Sequence, residues 1–150
     1  MLTKITMADA HQHYWGFVLC GDMLAYVSNQ TVIKVYGIEE LLAASAPGGD
    51  AHHHHAEHHD VLFRMDTGSR VLSFHTAMRN DRLHVWAICA DRCVRHFKQG
   101  QLMRTWSNVL GEIGALGYPL VCRVHGEHLF YAADDGVYYL NVFSGALTPE

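Results

Sequence analysis

The sequence predicts an all-β chain built from repeated hairpins. Short stretches alternate apolar and polar residues, as half-buried strands do, and turn residues separate them at close intervals. The clearest stretch is 128–147, where two alternating segments flank a turn at 134–136 with the sequence Asp-Asp-Gly. Aspartate hydrogen-bonds its own backbone and glycine adopts a positive φ without a Cβ clash, so both suit such a turn. The same pattern occurs earlier, at 84–102 and 24–41.

Two correspondences indicate that these hairpins belong to a repeat. Aligning the three stretches places Tyr36, Phe97 and Leu140 at the same position, the end of an alternating strand. Phe97 and Leu140 lie about 43 residues apart, and Tyr36 and Phe97 lie about 61 apart. Removing a polar insertion of about 17 residues from the second spacing leaves about 44, and both values are typical of propeller repeats. The turn LCGDML at 19–24 is also echoed by VHGEHL at 124–129. We therefore predict three copies of one β unit.

One strand of each unit resembles the V-x-x-W-D strand of the WD40 β-propeller family. The three strands are VIKVYG at 32–37, VRHFK at 94–98 and VYYLN at 137–141, and none of them contains Trp-Asp. The resemblance implies architecture only: a partial WD40-like β-propeller of about three four-stranded antiparallel blades. A β-sandwich is the alternative fold.

The predicted domain layout is a single WD40-like propeller portion over residues 1–150. Blade 1 covers about 13–66 with a His-rich insertion at 43–60, blade 2 covers about 70–107, and blade 3 covers about 119–150. A propeller closes with about four to eight blades. Three blades therefore predict that the chain is part of something larger, and by resemblance an N-terminal strand at 2–6 could complete the last blade.

Individual strands follow from the alternation and the turn residues. In blade 1 they lie at 14–19, 23–28, 31–38 and 61–65, with one or two helical turns at 39–46; in blade 2 they lie at 71–75, 83–89, 93–98 and 102–106. Blade 3 has a strand at 120–124 and the hairpin described above, and only the start of an outer strand remains at 146–147. The glycine-containing segment 108–119 lacks a phosphate-loop pattern and is interpreted as an inter-blade connection.

Charge is concentrated in the middle of the chain. Hydrophobic residues make up 49% of the sequence and the net charge is −4, which indicates a globular chain. Eight of the eleven Lys and Arg residues fall between Arg64 and Arg104. This basic middle blade could meet phosphates or an acidic protein partner, although an ordinary solvated surface is the alternative. The candidate partner-binding or RNA-binding residues are Arg79, Arg82, Arg92, Arg95, Lys98 and Arg104.

The His-rich insertion is the candidate metal site. Six histidines lie at 52–59, and neutral imidazoles bind zinc, copper or nickel. His55 and His59 would share a face of a helix, and His58 lies between them. A loop flanked by Gly and Ala is not expected to provide a fixed geometry, so His55, His58 and His59 are predicted to bind metal only adventitiously.

Catalytic patterns are absent from the sequence. There is no G-x-S-x-G and no H-E-x-x-H. Cys89 and Cys93 could face each other across a hairpin, but they are expected to be small buried hydrophobic residues. Five further histidines, predicted to be hydrogen-bonded residues at strand ends and turns, are His75, His84, His96, His125 and His128, and the aromatic residues Trp86, Phe97 and Trp106 are predicted to be core residues. No enzyme activity and no cofactor are therefore predicted.

The expected function is that of an interaction module. No apolar run is long enough to span a bilayer, and no signal-peptide pattern is found, so the expected compartment is the cytoplasm or the nucleus. Four cysteines within or beside strands favour a reducing environment. Exposed blade faces need a partner, which favours a non-enzymatic scaffold in a multiprotein assembly. The alternatives are RNA or ribonucleoprotein binding by the basic blade, and metal handling by the His-rich insertion.

Overall fold

The computed structural model describes residues 2, 17–44, 61–107, 121–133 and 136–142. Within them the chain forms eleven strands and one helix, and the strands make three antiparallel sheets. The all-β prediction is confirmed. The chain divides into two compact units, Met1–Asp66 and Thr67–Glu150, and the first ends at the residue predicted to end the first blade.

The first unit contains a four-stranded sheet in which neighbours follow chain order. Its strands are β1 (Phe17–Cys20), β2 (Met23–Ser28), β3 (Val32–Gly37) and β4 (Phe63–Asp66). Val35 lies opposite Phe63, so the two strands on either side of the insertion pair directly with each other. The predicted insertion thus falls between two strands that are neighbours in this sheet, and the blade layout itself stays a prediction.

A short helix, α1 (Ile38–Ala44), follows β3 and confirms the predicted helical turns. Residues 43 and 44, the first two assigned to the insertion, belong to this helix. Buried Leu41 packs with Tyr26 and Tyr36 of the sheet and holds the helix against it. The remaining residues assigned to the insertion, 45–60, and the predicted N-terminal strand beyond Leu2 lie outside the described residues.

Leu41→Ala should lower the free energy of unfolding by about 2 kcal/mol, because a buried side chain is lost and a cavity remains. Leu42→Ala is the matched control, since Leu41 is 2% exposed whereas Leu42 is 56% exposed. We expect the control to change stability by less than about 0.5 kcal/mol. Urea denaturation of both variants measures the difference. Equal losses would show that α1 does not pack on the sheet through Leu41.

The second unit begins with another four-stranded sheet in chain order. Its strands are β5 (Val71–Arg79), β6 (Arg82–Cys89), β7 (Val94–Lys98) and β8 (Gln101–Trp106). Two of its hairpins have two-residue turns with positive φ at both positions, Asn80 (50°) with Asp81 (60°) and Gln99 (51°) with Gly100 (82°). Such turns match the twist of the flanking strands. The predicted end of β5 at residue 75 was wrong, because its pairing with β6 continues to Arg79.

A third sheet completes the described part of the second unit. It has the order β11-β10-β9, with β9 (Cys122–His125), β10 (His128–Ala133) and β11 (Gly136–Asn141). Gly126 has a φ of 59°, close to the 58° of Gly21 in the β1–β2 turn, so the two turns predicted to correspond share this conformation. Asp134, Asp135, the connection at 108–120 and the predicted start of a fourth strand at 146–147 lie outside the described residues.

The two sheets of the second unit share one hydrophobic core. The Ser73 hydroxyl of β5 donates to Cys122 Sγ of β9 at 3.4 Å. The core residues of the two sheets are Leu72, Trp86, Ile88, Val94, Trp106, Cys122, Leu129, Tyr131, Leu140 and Val142.

In the part of the chain that the structure describes, no helix has the length and apolar character needed to cross a membrane.

Candidate functional site

The register of the β5–β8 sheet gathers basic side chains on one face. His75 lies opposite Trp86, Trp86 opposite His96, and His96 opposite Arg104. Residues directly opposite in an antiparallel sheet project from the same side. One row of side chains therefore crosses all four strands, and it contains two imidazoles and a guanidinium.

Further cations lie on the same face, nearer to the β5–β6 and β7–β8 turns. His84 lies opposite Lys98, and Arg79 lies opposite Arg82. Side chains two residues apart on a strand share a face, so these pairs continue the row described above. We call Arg79, Arg82, Lys98 and Arg104 the basic face. The four strands contain no aspartate or glutamate, so no acidic strand residue of this sheet neutralises it.

The other two predicted binding residues lie elsewhere. Arg92 is in the β6–β7 loop, at the opposite end of the sheet from the two turns. Arg95 is opposite Ala87 and hence on the other face. Its guanidinium also binds Asp91 through two hydrogen bonds, of 2.6 and 3.1 Å, and these lower the pKa of the Asp91 carboxyl. The structure therefore brings together four of the six predicted residues.

Buried aromatic rings underlie the basic face. Trp86 is fully buried and stacks on His96, with ring centroids 5.0 Å apart and planes 9° apart. Arg79 Cζ lies 5.7 Å from the centroid of the Trp86 ring, and Arg104 Cζ lies 5.1 Å from that of Trp106. Attraction between a guanidinium and an indole ring favours these positions and limits the freedom of both arginines. The prediction that Trp86 and Trp106 are core residues is confirmed.

Two histidines beneath the basic face are joined by a hydrogen bond. His84 Nδ1 and His96 Nε2 are 2.8 Å apart, and the two rings are nearly parallel at 7°. A neutral imidazole has one N–H donor and one acceptor nitrogen, so a neutral pair forms this bond with one ring donating to the other. Both residues are only 8% exposed and lie within strands. The prediction that both are hydrogen-bonded is confirmed, whereas their placement at strand ends or turns was wrong.

The surroundings of these histidines favour their neutral form. Burial, followed by His84, Lys98 and Arg79, lowers the pKa of His96 to about 4. Burial, followed by Lys98 and Arg79, also lowers the pKa of His84. The pKa of His75 is lowered by burial and then by Arg123 and Arg79. Arg79, Lys98 and Arg123, which lower these pKa values, are all cations, so they would attract an anion to this part of the sheet.

The structure adds no metal site to the sequence prediction. His55, His58 and His59 lie outside the described residues, so their metal binding stays a prediction. Among residues that the structure does describe, no group of three or more His, Cys, Asp or Glu side chains could hold a metal ion. Cys89 and Cys93 are buried free thiols, as expected, and burial raises the pKa of Cys89.

Sequence reasoning missed the histidines as part of this site. Part of the site could have been found from the sequence, because His84 and Trp86 are two residues apart and therefore share a face of β6. Their relation to His96 depends on the register between β6 and β7, which alternation alone does not specify.

Comparison with known proteins assigns no family to this chain. Its sequence matches no protein-family model, and a search of curated proteins finds no match either. The class of the protein is therefore defined by its structure: an all-β chain with a basic face on the second of its three described sheets.

Proposed function

We propose that this chain is a non-enzymatic protein-interaction module of a multiprotein assembly, which binds an acidic segment of a partner through the basic face. One observation carries the proposal: four cations lie on one face of a sheet whose strands contain no acidic residue. In this proposal the three sheets are blades of a WD40-like propeller portion. Each has its strands in chain order, as successive hairpins of a blade would.

An acidic protein segment suits the basic face for two physical reasons. Arg79 and Arg104 present planar guanidinium groups, which bind carboxylates through two parallel hydrogen bonds. Their positions against indole rings reduce the side-chain entropy lost on binding. Arg82 and Lys98 are exposed and add long-range attraction.

The proposed compartment is the cytoplasm or the nucleus, and the four free cysteines support a reducing environment.

Binding of a short oligo-aspartate peptide to the full chain tests this function. The variant Arg82→Glu/Lys98→Glu reverses two exposed charges of the basic face and should weaken binding roughly tenfold or more at low salt. The control variant Arg64→Glu/Arg70→Glu makes the same change in net charge at two exposed residues outside that face. Fluorescence anisotropy of a labelled peptide measures both. Equal weakening in the two variants, or no binding by the parent at low salt, would refute the proposal.

RNA binding is the second candidate function, because the same cations could contact phosphates. Full burial of Trp86 and the 1% exposure of Trp106 argue against stacking of bases on these rings. A short oligouridylate in the same assay compares the two candidates. Tighter binding of the RNA than of a peptide of equal charge, with a steep salt dependence and the same loss in Arg82→Glu/Lys98→Glu, would favour RNA.

A further inference from the structure

The hydrogen-bonded histidines beneath the basic face carry an inference about how binding is regulated. We propose that the His84–His96 pair takes up one proton from water when an acidic segment occupies the basic face, so that the partner binds more tightly at mildly acidic pH. This inference rests on the proposed function and adds a proton-accepting part to the same site.

The geometry of the pair accommodates one added proton. In the neutral pair one ring donates an N–H to the other across the 2.8 Å contact. The inner nitrogens are His84 Nδ1 and His96 Nε2, which leaves His84 Nε2 and His96 Nδ1 as the outer nitrogens. A proton added to the outer nitrogen of the donating ring makes that ring a charged imidazolium, which still donates to the neutral ring. A charged donor strengthens such a bond. A second proton would place two N–H groups against each other, so the pair takes up one proton and not two.

The charged residues on the strand face that carries the pair are positive, and one carboxylate, Asp81, lies in the β5–β6 turn next to Arg82. Arg79 lies on β5, Lys98 on β7 and Arg104 on β8, while Arg82 lies on the same strand as His84. His75 adds a third imidazole from β5, and Arg123 of β9 acts on His75. In the free protein burial, Lys98 and Arg79 favour the neutral form of both histidines. Carboxylates that bind the cations would add negative charge and favour the protonated pair.

Thermodynamic linkage turns this proton into a measurable pH dependence. If the complex holds one more proton than the free components, affinity rises as pH falls, by at most about tenfold per pH unit. Aspartate, arginine and lysine side chains keep their charge between about pH 5.5 and 7.5. A purely ionic contact between the peptide and the basic face would therefore bind equally well across this range.

The test is the affinity for the oligo-aspartate peptide at several pH values within that range, at constant ionic strength. We expect the parent to bind several-fold more tightly at the acidic end. The variant His84→Asn/His96→Gln places amides near the two inner nitrogens and has no titrating group there. Its affinity for the peptide should depend less on pH than that of the parent. His125→Gln, at an exposed position outside the site, is the matched control.

The outcomes separate this inference from the proposed function. The histidines at 52–59 are present in every variant, so their contribution cancels in the comparison. An unchanged pH dependence in His84→Asn/His96→Gln would overturn the inference while peptide binding itself stands. No peptide binding at any pH would refute the proposed function. If the double variant does not fold, NMR titration of the parent's imidazole C–H protons decides: the peptide must raise the pKa of the pair, and an unchanged pKa overturns the inference.

Discussion

Replacing Trp86 with alanine should lower the free energy of unfolding by about 3 to 5 kcal/mol, the cost of deleting a large aromatic side chain from a well-packed core. Trp86 is fully buried in the core shared by the β5–β8 and β9–β11 sheets. Its ring also stacks on His96 and lies under Arg79. The substitution therefore removes apolar contacts between the two sheets. It also removes the ring that contacts His96 and Arg79. Few small domains tolerate such a loss, because total stability is only about 5 to 15 kcal/mol.

Two further substitutions make this experiment specific. Trp86→Phe keeps an aromatic ring and should cost less than Trp86→Ala, about 1 to 2 kcal/mol. Met103→Ala removes a side chain from β8 that is 54% exposed, and should change stability by less than about 0.5 kcal/mol. Urea denaturation followed by circular dichroism measures all three. A loss in Trp86→Ala no larger than that in Met103→Ala would mean that Trp86 is not a core residue.

Acidification from about pH 7 to 4.5 should destabilise the free protein by about 2 kcal/mol through His96 alone. The pKa of His96 is about 4 in the folded chain, against an ordinary value of 6.5. The unfolded chain therefore binds more protons in this range, and a shift of one pKa unit corresponds to about 1.4 kcal/mol. The contribution of neutral His96 to the free energy of unfolding is complete above about pH 6.5 and is lost as pH falls towards 4. The Asp91 carboxyl acts in the same direction only at lower pH, because its pKa is lowered from 3.8.

Urea denaturation between about pH 7 and 4.5 checks the sign and size of this effect. In His96→Gln the titrating imidazole is absent, so the free energy of unfolding should fall less steeply with acidification than in the parent. His125→Gln, at an exposed position, should follow the parent. A slope in His96→Gln equal to that of the parent would show that His96 does not titrate abnormally in the folded chain. Stability that rose on acidification would contradict the direction of the His96 pKa shift.

Local chemistry accounts for the part of the fold that could be predicted from sequence. Asn80 and Asp81 tolerate a positive φ and mark a two-residue turn, and glycine does the same at Gly126. Alternation then identifies the strands on either side of each turn. The end of β5 was missed because residues 76–79 carry no clear alternation, and pairing with β6 extends the strand.

The sequence by itself determined that this chain is all-β, that it forms successive hairpins, and that the β5–β8 segment is basic, because these properties depend on neighbouring residues and on composition. Only the tertiary structure decided that Arg79, Arg82, Lys98 and Arg104 share a face while Arg92 and Arg95 lie elsewhere. It also decided that His84 meets His96. The physical reason is register: alternation assigns a residue to one of two faces, but the pairing of strands decides which side chains meet across them.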